Sequence, residues 1–99
     1  MRKYYIYLAG PIKSGDTQLN IRRAISEADA LLNAGFIPFV PHLDFIWGLV
    51  AYKSQEEWLA YDFQWILKCD ALLVMPGVSP GKEKEIEFAQ TIVTGKQKV

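Results

Sequence analysis

Two acidic residues occupy positions that helical periodicity assigns to a buried face. Across residues 55–68 and the Cys69 that follows, the apolar stripe is Trp58, Leu59, Trp65, Ile66 and Cys69, and Asp62 falls between Trp58 and Ile66, four residues from each. An unpaired carboxylate on such a face costs several kcal/mol or takes up a proton. Either Asp62 lines a ligand pocket, where it can hydrogen-bond a substrate or pass a proton, or it reaches water or a lysine across a wider face. In the last helical segment Ile86, Ala89, Ile92 and Val93 point inward, with Glu85 on the border of that stripe. Backbone N–H groups and the positive helix end are expected to keep Glu85 ionised, as a nucleophile must be. The same dipole also favours acids with no catalytic role, and Glu83 and Glu87, pointing away from the stripe, fit that role better.

Tyr7 lies on a strand that ends two residues later, so its phenol can hydrogen-bond a carboxylate and hold its rotamer, or simply fill the core. His42 follows Pro41 at the end of a second strand, where stabilising a loop and touching a ligand are both open to it. Residues 10–15 hint at a phosphate loop, but Asp16 stands where a Walker lysine belongs and no G-x-G-x-x-G occurs. One histidine and one cysteine, Cys69, exclude a Cys/His zinc cluster and an internal disulfide. No metal and no cofactor are expected.

The elements that must position these groups alternate along the chain. Residues 4–9 are aromatic, β-branched and apolar, stop at Gly10-Pro11, and read as a strand buried on both faces. Asp16 or Thr17 caps a helix whose inward positions are Ile21, Ala24, Ile25, Ala28, Leu31 and Leu32, with Gly35 at its C-terminal cap. Residues 36–41 form a short strand whose prolines place it at a sheet edge. Residues 44–52 are a short helix or a loop, apolar enough that they should cover the pocket or form a dimer seam. Ser54-Gln55-Glu56-Glu57 is a capping box, opening a helix that runs to about Lys68. Residues 70–75 are a third strand, residues 82–94 a final helix ending at Gly95, and Lys98-Val99 the start of a fourth strand.

This order predicts an α/β domain of three layers, with a small parallel sheet of three to four strands in flavodoxin-like or Rossmann-like order and helices on both faces. Residues 1–99 make one domain. Ligands bind such sheets beyond the carboxyl ends of the strands, where strand order reverses. The loops 10–16, 41–44 and 75–81 meet there. Eleven basic and eleven acidic side chains cancel without runs, so neither a nucleic-acid polymer nor an anionic membrane is an expected partner. The basic start Met1-Arg2-Lys3 precedes a tyrosine-rich stretch with no secretory core, and residues 30–43 are too short and broken to span a bilayer, so a cytoplasmic location is expected. Trp47, Trp58 and Trp65 read as core or interface residues.

Taken in chain order, Ile6-Tyr7-Leu8-Ala9-Gly10-Pro11, Tyr61-Asp62, Cys69-Asp70-Ala71-Leu72-Leu73-Val74 and Ser79-Pro80-Gly81-Lys82-Glu83-Lys84-Glu85 resemble the nucleoside 2-deoxyribosyltransferase superfamily. They are similar also to the related 2′-deoxynucleoside 5′-phosphate N-hydrolases, and most of all to short members without an assigned activity. The resemblance implies a Glu nucleophile at Glu85, an acid or ribose ligand at Asp62, and an orienting phenol at Tyr7. It further implies substrate contacts from Gly10, Pro11, Ile12, Lys13, Ser79 and Gly81, with His42 beside them. The substrate class implied is a nucleoside or nucleoside monophosphate whose N-glycosidic bond is cleaved, or whose deoxyribosyl group is transferred, by a homo-oligomer. Glu87 stands where the superfamily commonly has glycine, which favours the alternative of a non-catalytic nucleotide-binding or interaction module of the same fold.

Overall fold

The first strand, β1 (Tyr5–Ala9), is buried from Ile6 onward because both of its faces carry a layer of helix. It lies inside a parallel four-stranded sheet of order β2-β1-β3-β4, with β2 (Ile37–Phe39), β3 (Ala71–Val74) and β4 (Gln97–Lys98). The computed structural model describes residues 3–77, 79–92 and 97–98. The expected inward turn of Ile92 and Val93, the helix end at Thr94-Gly95 and the strand position of Val99 lie outside the described residues.

Alternation along β1 divides the core. Tyr7 and Ala9 join Leu72, Ile66, Cys69 and Ala89 on the face covered by α3 (Gln55–Lys68) and α4 (Pro80–Ile92). Leu8 joins Ala24, Ala28 and Met75 on the face covered by α1 (Thr17–Asn33). The expected three-layer α/β architecture is therefore present. Pro38, which has no N–H to donate outward, pairs with Ile6 on its inner side and leaves β2 at the edge.

The helix limits follow local chemistry. Asp16 accepts from the Leu19 N–H at 3.0 Å at the start of α1. Phe36 N–H donates to the Leu31 carbonyl and Gly35 N–H to that of Leu32, a Schellman end with Gly35 at φ +97°. The α1 stripe is narrower than periodicity suggests. Ala24 and Ala28 are buried, whereas Ile25 and Leu32 are about half exposed, because small residues bring the helix close to a narrow sheet and its larger neighbours overhang. The capping box at Ser54 is complete, with Glu57 N–H donating to Ser54 Oγ and Ser54 N–H to Glu57 Oε1. The segment after β2 is a turn of 3₁₀-helix (Pro41–Leu43) followed by α2 (Asp44–Val50). Helix α4 begins two residues earlier than expected: Pro80 suits the first helical position, and the Ser79 hydroxyl accepts from the Lys82 N–H at 3.1 Å. Among the described residues, no helix is long and apolar enough to cross a membrane.

Candidate functional site

Strand order reverses between β1 and β3, since β2 lies on one side of β1 and β3 on the other. The loops leaving the two strands interlock at that point. A Cβ on Gly10 would stand 2.9 Å from Met75 Cβ, and one on Gly77, which has φ +108°, would stand 2.9 Å from Pro11 Cγ. The first loop is pinned further by Asn20, whose side-chain amide donates to the carbonyls of Ile12 and Ser14 at 3.0 and 2.8 Å. Above these loops opens a cavity of about 410 Å³, floored by Asp62 of α3 and Glu85 of α4 and walled on one side by Phe45, Gly48 and Leu49 of α2.

The cavity brings together Asp62, Glu85, Gly10, Ile12, Lys13, Ser79 and Gly81 of the residues expected at a site. Tyr7, Pro11 and His42 do not line it. Tyr7 lies behind Glu85, fully buried, and donates its hydroxyl to Glu85 Oε2 at 2.5 Å. Pro11 is buried against Gly77. His42 is fully buried under the first loop, where neither ring nitrogen completes a hydrogen bond of normal geometry. Burial pulls its pKa down to about 4, opposed only by the Pro11 backbone, so the ring is neutral at pH 7.

Burial also dominates the carboxyl groups, which are all less than a tenth exposed. Asp62 is raised to about 10, first by loss of water and then by its neighbours Asp44 and Glu85. Glu85 is raised to about 7 by burial, with the hydrogen bonds from Tyr7 and Asp62 restraining the rise. This corrects the expectation that the helix terminus keeps Glu85 fully ionised. Glu85 is the sixth residue of α4, beyond the first turn where the dipole acts, and desolvation wins. Tyr7 is pushed well above its ordinary range by burial and by the Glu85 charge, so it stays a donor. The arrangement is an acid–carboxylate pair, Asp62 holding a proton and Glu85 sharing its own with solvent near neutrality.

Several residues of the site escape a reading by periodicity. Asp44, the first residue of α2, presents a third buried carboxyl to the cavity, raised by burial. The signal available for it was an acid opening an apolar segment at the end of a loop that the topology assigns to the site. Lys82 is buried and donates its Nζ to the carbonyls of Met75 and Gly77, which staples the second loop rather than offering a cation to Glu85. Trp58 lines the cavity as well as packing edge-on against Trp47 and Tyr61, so its role is wider than core filling. Trp65, by contrast, stacks on Phe39 with centroids 4.7 Å apart. A second groove of about 490 Å³ between α1 and the end of β3 carries Arg22, Arg23 and Glu27 but no buried ionisable group.

Among curated proteins none matches this chain. A family model described as a domain of unknown function, DUF7768, matches residues 4–95, which include every element from β1 to α4 and all the cavity-lining side chains. The chain belongs to that family of unknown function, DUF7768.

Proposed function

We propose that the chain cleaves or transfers the N-glycosidic bond of a nucleoside or nucleoside monophosphate, with Glu85 as nucleophile, Asp62 as acid and Tyr7 as the orienting phenol. The observation that carries this is the 2.5 Å hydrogen bond from the Tyr7 hydroxyl to Glu85 Oε2, made from behind a cavity whose floor holds both Glu85 and Asp62. With Oε2 held by Tyr7, Oε1 is the oxygen that meets an anomeric carbon, with Asp62 beside it. In the first half-reaction Oε1 bonds to that carbon as the C–N bond breaks, and the bond's electron pair leaves with the base. Asp62 gives its proton to the departing base, and the oxocarbenium-like charge is met by the carboxylate. Water or a second base then takes the glycosyl group from Glu85.

The dimensions and lining support a small-molecule ligand. About 410 Å³ lies within the ~300–1,000 Å³ usual for such sites. Lys13, Lys53 and Lys84 surround the mouth, where a phosphate would add to the ligand's affinity, and Ser79 keeps a hydroxyl hydrogen to donate. A cytoplasmic homo-oligomer accompanies this proposal: Ile46, Trp47, Leu49, Val50 and Tyr52 leave an apolar face of the α2 region exposed that a second copy would cover.

A panel of deoxynucleosides and their monophosphates, assayed for free base, tests the proposal. Release that disappears in Glu85→Ala and persists in Glu87→Ala, whose side chain is exposed, is the expected result. Ligand binding without release by any substrate would assign the chain to the non-catalytic module instead.

A further inference from the structure

We propose that Asp44 is a positioning residue that holds the proton on Asp62, coupling the α2 wall of the cavity to the acid on its floor. The catalytic consequence rests on the glycosidic proposal above; the placement of the proton does not. Asp44, Asp62 and Glu85 come from three different helices, are 7%, 3% and 5% exposed, and line the same cavity.

Each charged or titratable neighbour leaves this cluster without a buried counter-ion. From α4, Lys82 spends its Nζ on two backbone carbonyls. Lys13, Lys53 and Lys84 stand at the wetter rim of the cavity. From β1, Tyr7 gives its hydroxyl to Glu85. His42, in the turn before α2, is buried and neutral. Three carboxylates so placed cannot all be ionised, and the proton must lie where two of them can share it.

Geometry selects the pair. Asp62 lies within side-chain hydrogen-bonding reach of both Asp44 and Glu85, but Glu85 Oε2 already accepts from Tyr7, whereas Asp44 Oδ2 and Asp62 Oδ1 are the buried carboxyl oxygens left without a partner. An acid hydrogen on Asp62 resolves the contact, whereas two bare carboxylates would repel at close range in a desolvated wall. Burial and Asp44 both push Asp62 upward, as such a shared proton requires. Because Asp44 opens α2, the same contact fixes the helix that carries Phe45, Gly48 and Leu49 over the cavity.

Carboxyl ¹³C titration of the full chain by NMR, with Asp62 assigned through Asp62→Asn, reads the proton directly. The expected result is an Asp62 midpoint above neutrality that falls by more than about one pH unit in Asp44→Asn, whose amide keeps the shape but removes the charge. Should that variant not fold, Asp44→Ser provides the same comparison. An Asp62 midpoint in the ordinary carboxylate range of the unsubstituted protein, or one unmoved by removing Asp44, overturns the proposal. If base is released, the alkaline limb of the rate profile moves to lower pH in Asp44→Asn, which a merely structural role would not produce. If no base is released, the glycosidic proposal falls while the titration still decides the role of Asp44.

Discussion

Replacing Tyr7 by phenylalanine removes one oxygen from the inner face of β1 and leaves the ring that stacks on Phe39, with centroids 5.5 Å apart, in place. That oxygen is the donor to Glu85 Oε2 at 2.5 Å, and both groups are shielded from water. A hydrogen bond to a charged, buried acceptor contributes about 1.5–3 kcal/mol, and each 1.36 kcal/mol is roughly one pH unit of midpoint, so Glu85 rises by about one to two pH units. With Glu85 titrating at about 7, half of it is ionised at pH 7. In Tyr7→Phe roughly 1–9% is ionised, and glycosidic cleavage at pH 7 falls about 5- to 50-fold. The loss should fade as pH approaches 9, where the variant's Glu85 ionises while Asp62, at about 10, still holds its proton. Rate profiles of base release from pH 6 to 9, with the ¹³C titration of Glu85 alongside, measure both effects. A loss by the same factor at every pH, or a Glu85 midpoint that does not move, would show that the phenol does not act through the charge on Glu85.

Other consequences can be measured without a substrate. Asp62 binds a proton up to about pH 10 when folded but only up to 3.8 when unfolded, so stability declines as pH rises through that window. Asp62→Asn should remove the share of the decline that belongs to Asp62, leaving that of Glu85, and be more stable than the parent at pH 9 by about 1–4 kcal/mol in urea unfolding; equal stability at pH 9 would contradict a buried acid. His42 has the opposite sign, because its pKa falls from 6.5 to about 4 on folding and its contribution is lost as pH drops between those values. His42→Leu should lessen the loss of unfolding free energy between pH 7 and pH 4.5 by roughly 2 kcal/mol. Gly10→Ala would drive a methyl to 2.9 Å from Met75 Cβ, costing about 1–3 kcal/mol and lowering Tm by about 4–8 °C per kcal/mol, which calorimetry checks.

Short-range chemistry made much of the architecture readable in one dimension. Asp16 and Gly35 bound α1, the Ser54–Glu57 capping box opens α3, and Pro38 forces β2 to the edge, because each acts within a few residues of itself. Periodicity likewise placed Asp62 on the buried face of α3 and Glu85 beside Ala89 on α4, since a helix repeats its faces every three to four residues wherever it packs. What periodicity cannot supply is the width of a face, which depends on the neighbour. Ile25 and Leu32 overhang a narrow sheet, and Trp65 lies 39% exposed. Nor can it supply contacts across the chain: Tyr7 and Glu85 are 78 residues apart and meet only because the switch point brings the ends of β1 and β3 together. The role of Asp44, the diversion of Lys82 to backbone carbonyls and the near-neutral titration of Glu85 belong to the same class. A carboxyl's charge state is set by how much water its surroundings exclude and which groups they place beside it, and that enclosure exists only once all the layers have assembled.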